Sequence, residues 1–263
     1  MDALVDFFDP LPIVVLFAVF IAVGLAFTFG LEALVHRRLR SETRERVSNS
    51  TAVMVQVLAV FYSVLVAFVI VGERSQISEA NDHVANEAAA MSALYQDVGG
   101  FPPEARARVR AGILAYDRSV LRHDFHAVES TGEPSLDTTR RLDQLYATVQ
   151  SAEPEVGTSA FYAQSVNDLS DITRARRSRN ADAGDTIPGP LFFLVVIISV
   201  FVLAVATLLN TRERGTHVAL LAVLATVTAL NLALIIALEH PFSGAIAVSD
   251  EPLHVGVLGL AMR

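Results

Sequence analysis

Four long apolar runs break up an otherwise polar chain. They cover residues 11–34, 51–72, 188–209 and 218–238. The second, Thr51 to Gly72, holds no charged residue over 22 positions. Each run is about long enough to cross a hydrocarbon core of ~30 Å as a helix. After Gly72 the pattern changes without a break. Ile77, Val84, Met91 and Val98 recur every seventh residue, flanked by Ala80, Ala88 and Tyr95, with no proline or glycine between. This is the stripe of an amphipathic helix. The second run and this stripe therefore predict one continuous helical rod from Thr51 to about Val98, without a break at Gly72-Glu73.

The polar residues 73–187 predict a helical domain. Gly99-Gly100 and Pro102-Pro103 end the rod, and Pro103 suits the first turn of the next helix. That helix, expected over 103–127, carries Val109, Ile113, Tyr116 and Val120 on one face. Ser135 can cap a third, with Leu142, Leu145 and Val149. A fourth over 159–179 shows Tyr162, Val166, Leu169 and Ile172. Four amphipathic stripes with short links predict an antiparallel bundle. The expected class is an all-α membrane protein with four transmembrane helices and a helical bundle domain inserted between the second and third spans. Its parts are 1–72 (spans one and two), 73–187 (the bundle) and 188–263 (spans three and four with a short apolar tail).

Composition agrees. The chain is 52% hydrophobic with mean hydropathy +0.46, high for a soluble globular chain. It has no cysteine, which excludes disulfides and thiolate metal sites. A net charge of −8 argues against nucleic acid as a partner. All 20 basic residues are arginine, and their placement in the short loops gives an orientation. Residues 36–46 hold Arg37, Arg38, Arg40, Arg44 and Arg46, and the loop 211–217 holds Arg212 and Arg214. These seven face five near the other membrane surface: Arg74, Arg174, Arg176, Arg177 and Arg179. The balance puts the two short loops in the cytoplasm and residues 73–187 outside it, in a multi-pass plasma (inner) membrane protein. No cleavable signal peptide is evident before residue 11.

Motifs for chemistry are scarce. No glycine-rich phosphate loop, G-x-S-x-G or H-E-x-x-H occurs, so neither an enzyme nor a cofactor is expected. His123 and His126 stand three apart, a spacing that can share a metal but more simply marks an exposed polar face. No metal is expected. Asp168 and Asp171 beside the arginines predict a solvated, salt-bridged face. Polar residues within spans are more informative, because lipid penalises them. At 100° per residue Gln56, Ser63, Ala67, Ile70 and Arg74 fall on one face of the second span. That face is either a helix–helix contact or a pore lining, with Ile70 as an apolar ring and Arg74 at the mouth attracting anions. Asn231 in the fourth span fits a structural hydrogen bond.

The stretch EANDHVANEAAAMSALYQDVGGFPPEARARVRAGILAYDRSV resembles the bacterial family called bestrophin-like. The likeness lies in an EA-rich helix ending in a Leu-Tyr pair (Tyr95), a Pro/Arg turn, and an Arg-rich helix with a central tyrosine, Tyr116. The tail PFSGAIAVSDEPL, with Pro241, Phe242 and Gly244, resembles the family's closing motif. The resemblance runs from the second span to near the end. Through the family's name it implies likeness to bestrophins, homo-oligomeric anion channels whose second span lines the pore. The run of pore phenylalanines typical of bestrophins is not reproduced, and their acidic calcium clasp has no counterpart. Two functions are therefore expected. One is an oligomeric ion channel in the lipid bilayer, conducting anions such as chloride along the second span. The other is a non-conducting membrane protein that senses or binds a partner through its helical domain.

Overall fold

The computed structural model describes residues 13–38, 41–125, 127, 133–157, 159–182, 187–209, 213–238, 248–255 and 258–259, with the side chains of 41–50 left aside. The described residues are almost entirely helical. They form α1 (Ile13–Arg38), α2 (Ser41–Asp97), α3 (Pro103–Ser119), α4 (Leu136–Ser151), the single turn α5 (Glu153–Val156), α6 (Ala160–Asp182), α7 (Gly189–Ala206), α8 (Arg214–Leu238) and the single turn α9 (Glu251–His254). Helices α1, α2, α7 and α8 each contain a window long and apolar enough to cross a membrane.

Helix α2 is one unbroken element of 57 residues, roughly 85 Å at 1.5 Å per residue. It passes through Gly72 and Glu73 as expected. It also starts ten residues before the apolar run, so arginines assigned to a loop lie on helix. Residues 41–50 contain no proline or glycine, and their Glu and Arg are good helix formers. The same holds at α8, which begins at Arg214, inside the expected loop.

Two compact units divide the chain, with the boundary in α2 between Ser75 and Gln76. The first contains α1, the N-terminal part of α2, α7 and α8. Its core is Tyr62, Val66 and Val69 of α2, with Ile187, Val195, Val202 and Ile235. Helix α1 packs on α8 where Gly24 lies against Ala229. A Cβ at Gly24 would stand 3.1 Å from the Ala229 Cβ and 3.4 Å from the Ala225 carbonyl oxygen. Thr28, fully buried, donates to the Gly24 carbonyl at 2.8 Å, so its hydroxyl is satisfied within its own helix. Gly24 thus lets α1 and α8 approach closely.

The second unit contains the rest of α2, α3 to α6 and α9. Ala80, Val84, Met91, Leu94 and Val98 of α2 meet Val109, Ile113 and Tyr116 of α3, Leu142, Leu145 and Val149 of α4, and Leu169 and Ile172 of α6. These are the four stripes read from the sequence, although Val166 is exposed. Ser135 caps α4, accepting from the Asp137 amide at 3.2 Å. Helix α3 is shorter than expected and continues as a π-turn, Val120–Asp124. Asp124, at the end of this turn, is fully buried in the bundle. Val248, Leu253 and Leu258 of the tail belong to the same core.

Candidate functional site

Two features could carry function: one face of α2 in the membrane unit and a buried ionic network in the bundle. On α2, Tyr62, Val66, Val69 and Glu73 are buried, and the opposite half is open. Of the face predicted from the sequence, Gln56, Ser63, Ala67 and Arg74 are exposed, and Ile70 is half-buried at its edge. Ser63 donates to the Ala59 carbonyl at 2.7 Å. Gln56 and Arg74 reach no partner among the described residues. The open half is wider than the predicted stripe. It also shows Val53, Val57, Val60, Val64 and Val71, and beyond them Met54, Phe61 and Phe68.

The bundle holds a network that periodicity did not suggest. Arg179, only 1% exposed, donates from Nε to Glu87 Oε2 and from Nη2 to Asp124 Oδ2, both at 2.6 Å. Arg176 makes two longer bonds to Asp124, each 3.3 Å, and a third to Thr139 Oγ1 at 3.1 Å. The Tyr116 hydroxyl donates to Glu87 Oε1 at 2.6 Å, and the Ser135 amide donates to Asp124 Oδ1 at 2.8 Å. Two carboxylates thus face two guanidiniums, and residues of α2, α3, α4 and α6 are tied at one point. Burial works against every charge here, and close pairing offsets it. For Asp124, burial pulls its pKa upward, but Arg179 and then Arg176 outweigh it and hold the carboxyl below its usual range. Burial disfavours the charge on Arg179, yet Glu87 and Asp124 hold it firmly protonated. Burial, then Glu87, pushes Tyr116 well above the ordinary phenol value, so it is a permanent donor.

Other sequence expectations divide. Asp171 does form an exposed pair with Arg174 at 3.0 Å. Asp168 departs from the solvated face expected of it: it is buried and accepts from Gln164 Nε2 at 3.0 Å. Burial, with the nearby Asp97 and Asp171 carboxylates, raises it to about 6 against the opposing Gln164 bond. Asp168 stands four residues before Ile172 and so falls on the packed side of α6, whereas Asp171 turns outward. His123 is exposed and His126 lies outside the described residues, which include no cluster of three metal-ligating side chains. Asn231 is half-buried, and no described residue supplies the structural hydrogen bond expected of it. Tyr95 lies under the Arg110 guanidinium, 4.3 Å from the ring centroid, and Tyr116 sits in the network. Pro241, Phe242 and Gly244 lie outside the described residues.

The sequence model of the bestrophin-like domain matches residues 10–253. The chain belongs to the bestrophin-like family. Solved structures agree on the fold. Two variants of a bacterial bestrophin homologue from Klebsiella pneumoniae each share 13% identity with this chain and cover 89% of it. They match with TM-scores of 0.70 and 0.71 over 94% and 95% of their own lengths. A further membrane protein variant, 15% identical, matches at 0.64 over 89% of this chain and 93% of its own. No curated protein matches the chain. At this identity the likeness concerns the fold of this bestrophin-like protein and not its individual side chains.

Proposed function

We propose that this bestrophin-like protein is an oligomeric, anion-conducting membrane channel, with copies assembled around the second span. The observation that carries this is the polar edge of α2. Gln56 and Arg74 stand on the open side of a membrane helix with no partner among the described residues. Facing lipid, both would be costly; water or a second copy removes the cost. Symmetric assembly brings such an edge to one axis. Gln56, Ser63 and Ala67 then line a narrow path, Ile70 forms an apolar ring, and Arg74 stands about one turn beyond it. The Met54/Phe61/Phe68 edge faces lipid or the neighbouring copy. The fold shared with a bestrophin homologue supports the same arrangement.

Arg74 gives the direct test. A ring of guanidiniums concentrates anions and repels cations. Arg74→Glu, on the reconstituted protein in planar bilayers, is expected to move the reversal potential in a sodium chloride gradient toward the sodium value. Unchanged selectivity, or a monomeric particle in detergent, removes the basis for this reading. Sidedness is tested separately, in this cysteine-free chain, by Ser151→Cys, an exposed position in the bundle. The arginine balance expects an impermeant maleimide to label it in intact cells. Labelling only after lysis reverses the orientation.

A further inference from the structure

Asp117 is the one fully buried carboxylate of the bundle, among the described residues, that takes no part in the network. It is 0% exposed, and neither carboxylate oxygen has a hydrogen-bond partner among the described residues. The two cations that act on it do not bond to it: His254 pairs with Asp250 of its own turn at 3.2 Å, and Arg118 is exposed. An ionised Asp117 here would be a buried charge without a hydrogen bond, which proteins avoid by neutralising the group or hydrating it. The tail reaches the same place. Leu253 and Leu258 share a core with Tyr116 and Val120, on either side of Asp117 in sequence. The Ser249 amide donates to Asn81 Oδ1 of α2 at 3.1 Å, and Leu253 closes a turn on the Asp250 carbonyl at 3.0 Å. The charged groups acting on Asp117 are His254 from the tail, Glu87 from α2 and Arg118 from its own helix.

From this geometry we infer that Asp117 is a proton-operated latch for the C-terminal segment Val248–Val255: protonated, it lets the segment dock on the bundle, and ionised, it releases it. The segment is short, with few apolar anchors, so one buried charge weighs heavily against its docking. Burial first, with Glu87 adding, raises the docked carboxyl from 3.8 to about 7, while His254 and Arg118 pull it down. A group raised in the docked state stabilises docking fully below its free value, and that contribution is lost as pH rises to the docked value. The docking constant therefore falls about tenfold per pH unit between pH 4 and 7, up to about a thousandfold in all, and then levels off.

Hydrogen exchange on the full-length protein in detergent reads this constant even while the segment stays mostly docked. Protection factors of peptides from residues 248–255, corrected for intrinsic exchange, are expected to fall about tenfold per unit from pH 5 to 7 and to flatten by pH 8. Asp117→Asn and Asp117→Leu should each remove the slope, and either variant suffices if the other fails to fold. His254→Gln should keep it. A protection factor independent of pH in the parent protein overturns the latch. So does a slope that survives both Asp117 variants, or one abolished by His254→Gln.

Discussion

Replacing Arg179 with methionine is expected to cost about 3–5 kcal/mol, a large share of the roughly 5–15 kcal/mol that holds a domain folded. The side chain is 1% exposed, so solvent does not soften the loss. Methionine keeps most of the volume and removes the cation. Glu87 then keeps only the Tyr116 hydroxyl, and Asp124 keeps the Ser135 amide and the longer bonds from Arg176. An unpaired buried carboxylate escapes by binding a proton, which gives the variant its signature. In the parent, Asp124 is depressed below its ordinary value, so its contribution is present at neutral pH and lost only in strong acid. In Arg179→Met the affected carboxyls are raised instead. The stability gap between variant and parent should then narrow as pH falls from 7 to 5. Adding Glu87→Gln should recover part of the loss, because it removes the carboxylate left without a cation. Denaturant titration of both proteins at pH 5 and 7 measures the gap. A loss below about 1 kcal/mol, or a gap independent of pH, would show that Arg179 is peripheral.

This network shows where the sequence stops being readable. The four spans and four stripes were legible because each is set by local composition and by the helical repeat. The Ser135 cap was legible for the same reason. The signal for the network was present in the register. Glu87 stands between Val84 and Met91 on the buried stripe of α2, and Arg176 and Arg179 continue the stripe of Leu169 and Ile172. A charge at a stripe position reads as a gap unless its partner is known, and Arg179 finds Glu87 only 92 residues away. Asp124 stands four residues after Val120 and so continues the buried stripe of α3, and it too reads as a gap until its partners on α6 are known. The α2 face was legible as a periodicity, and its polar edge is exposed in the single chain. Exposure alone cannot divide that open half between lipid, water and neighbouring copies, because apolar side chains suit lipid and packing equally.

Ile70 separates those uses of the face. It is half-buried, at the edge where the open side of α2 meets the core around Val66 and Val69. In the proposed assembly its copies form an apolar ring that keeps a narrow path dry, and a dry path does not conduct. Ile70→Ala should widen the ring and make it less apolar. Every 1.4 kcal/mol removed from the barrier raises flux tenfold, and several copies act together, so a gain of at least about tenfold in chloride conductance or leak is expected. The same change leaves a gap against the core, costing up to about 2–5 kcal/mol at a fully buried site and less here. Loosened packing could itself raise leak, so alanine alone is not decisive. Ile70→Thr distinguishes the two. Threonine keeps the branched shape and most of the volume but adds a hydroxyl to the ring, so it wets the path while disturbing packing less. If Ile70 is a dewetting gate, conductance in both variants exceeds the parent's, and threonine gains at least as much as alanine for a smaller loss of thermal stability. If the face is only a packing surface, threonine stays at the parent's background conductance, and alanine changes the stability of the assembly alone. Single-channel recording and thermal unfolding on the same three preparations decide between these outcomes.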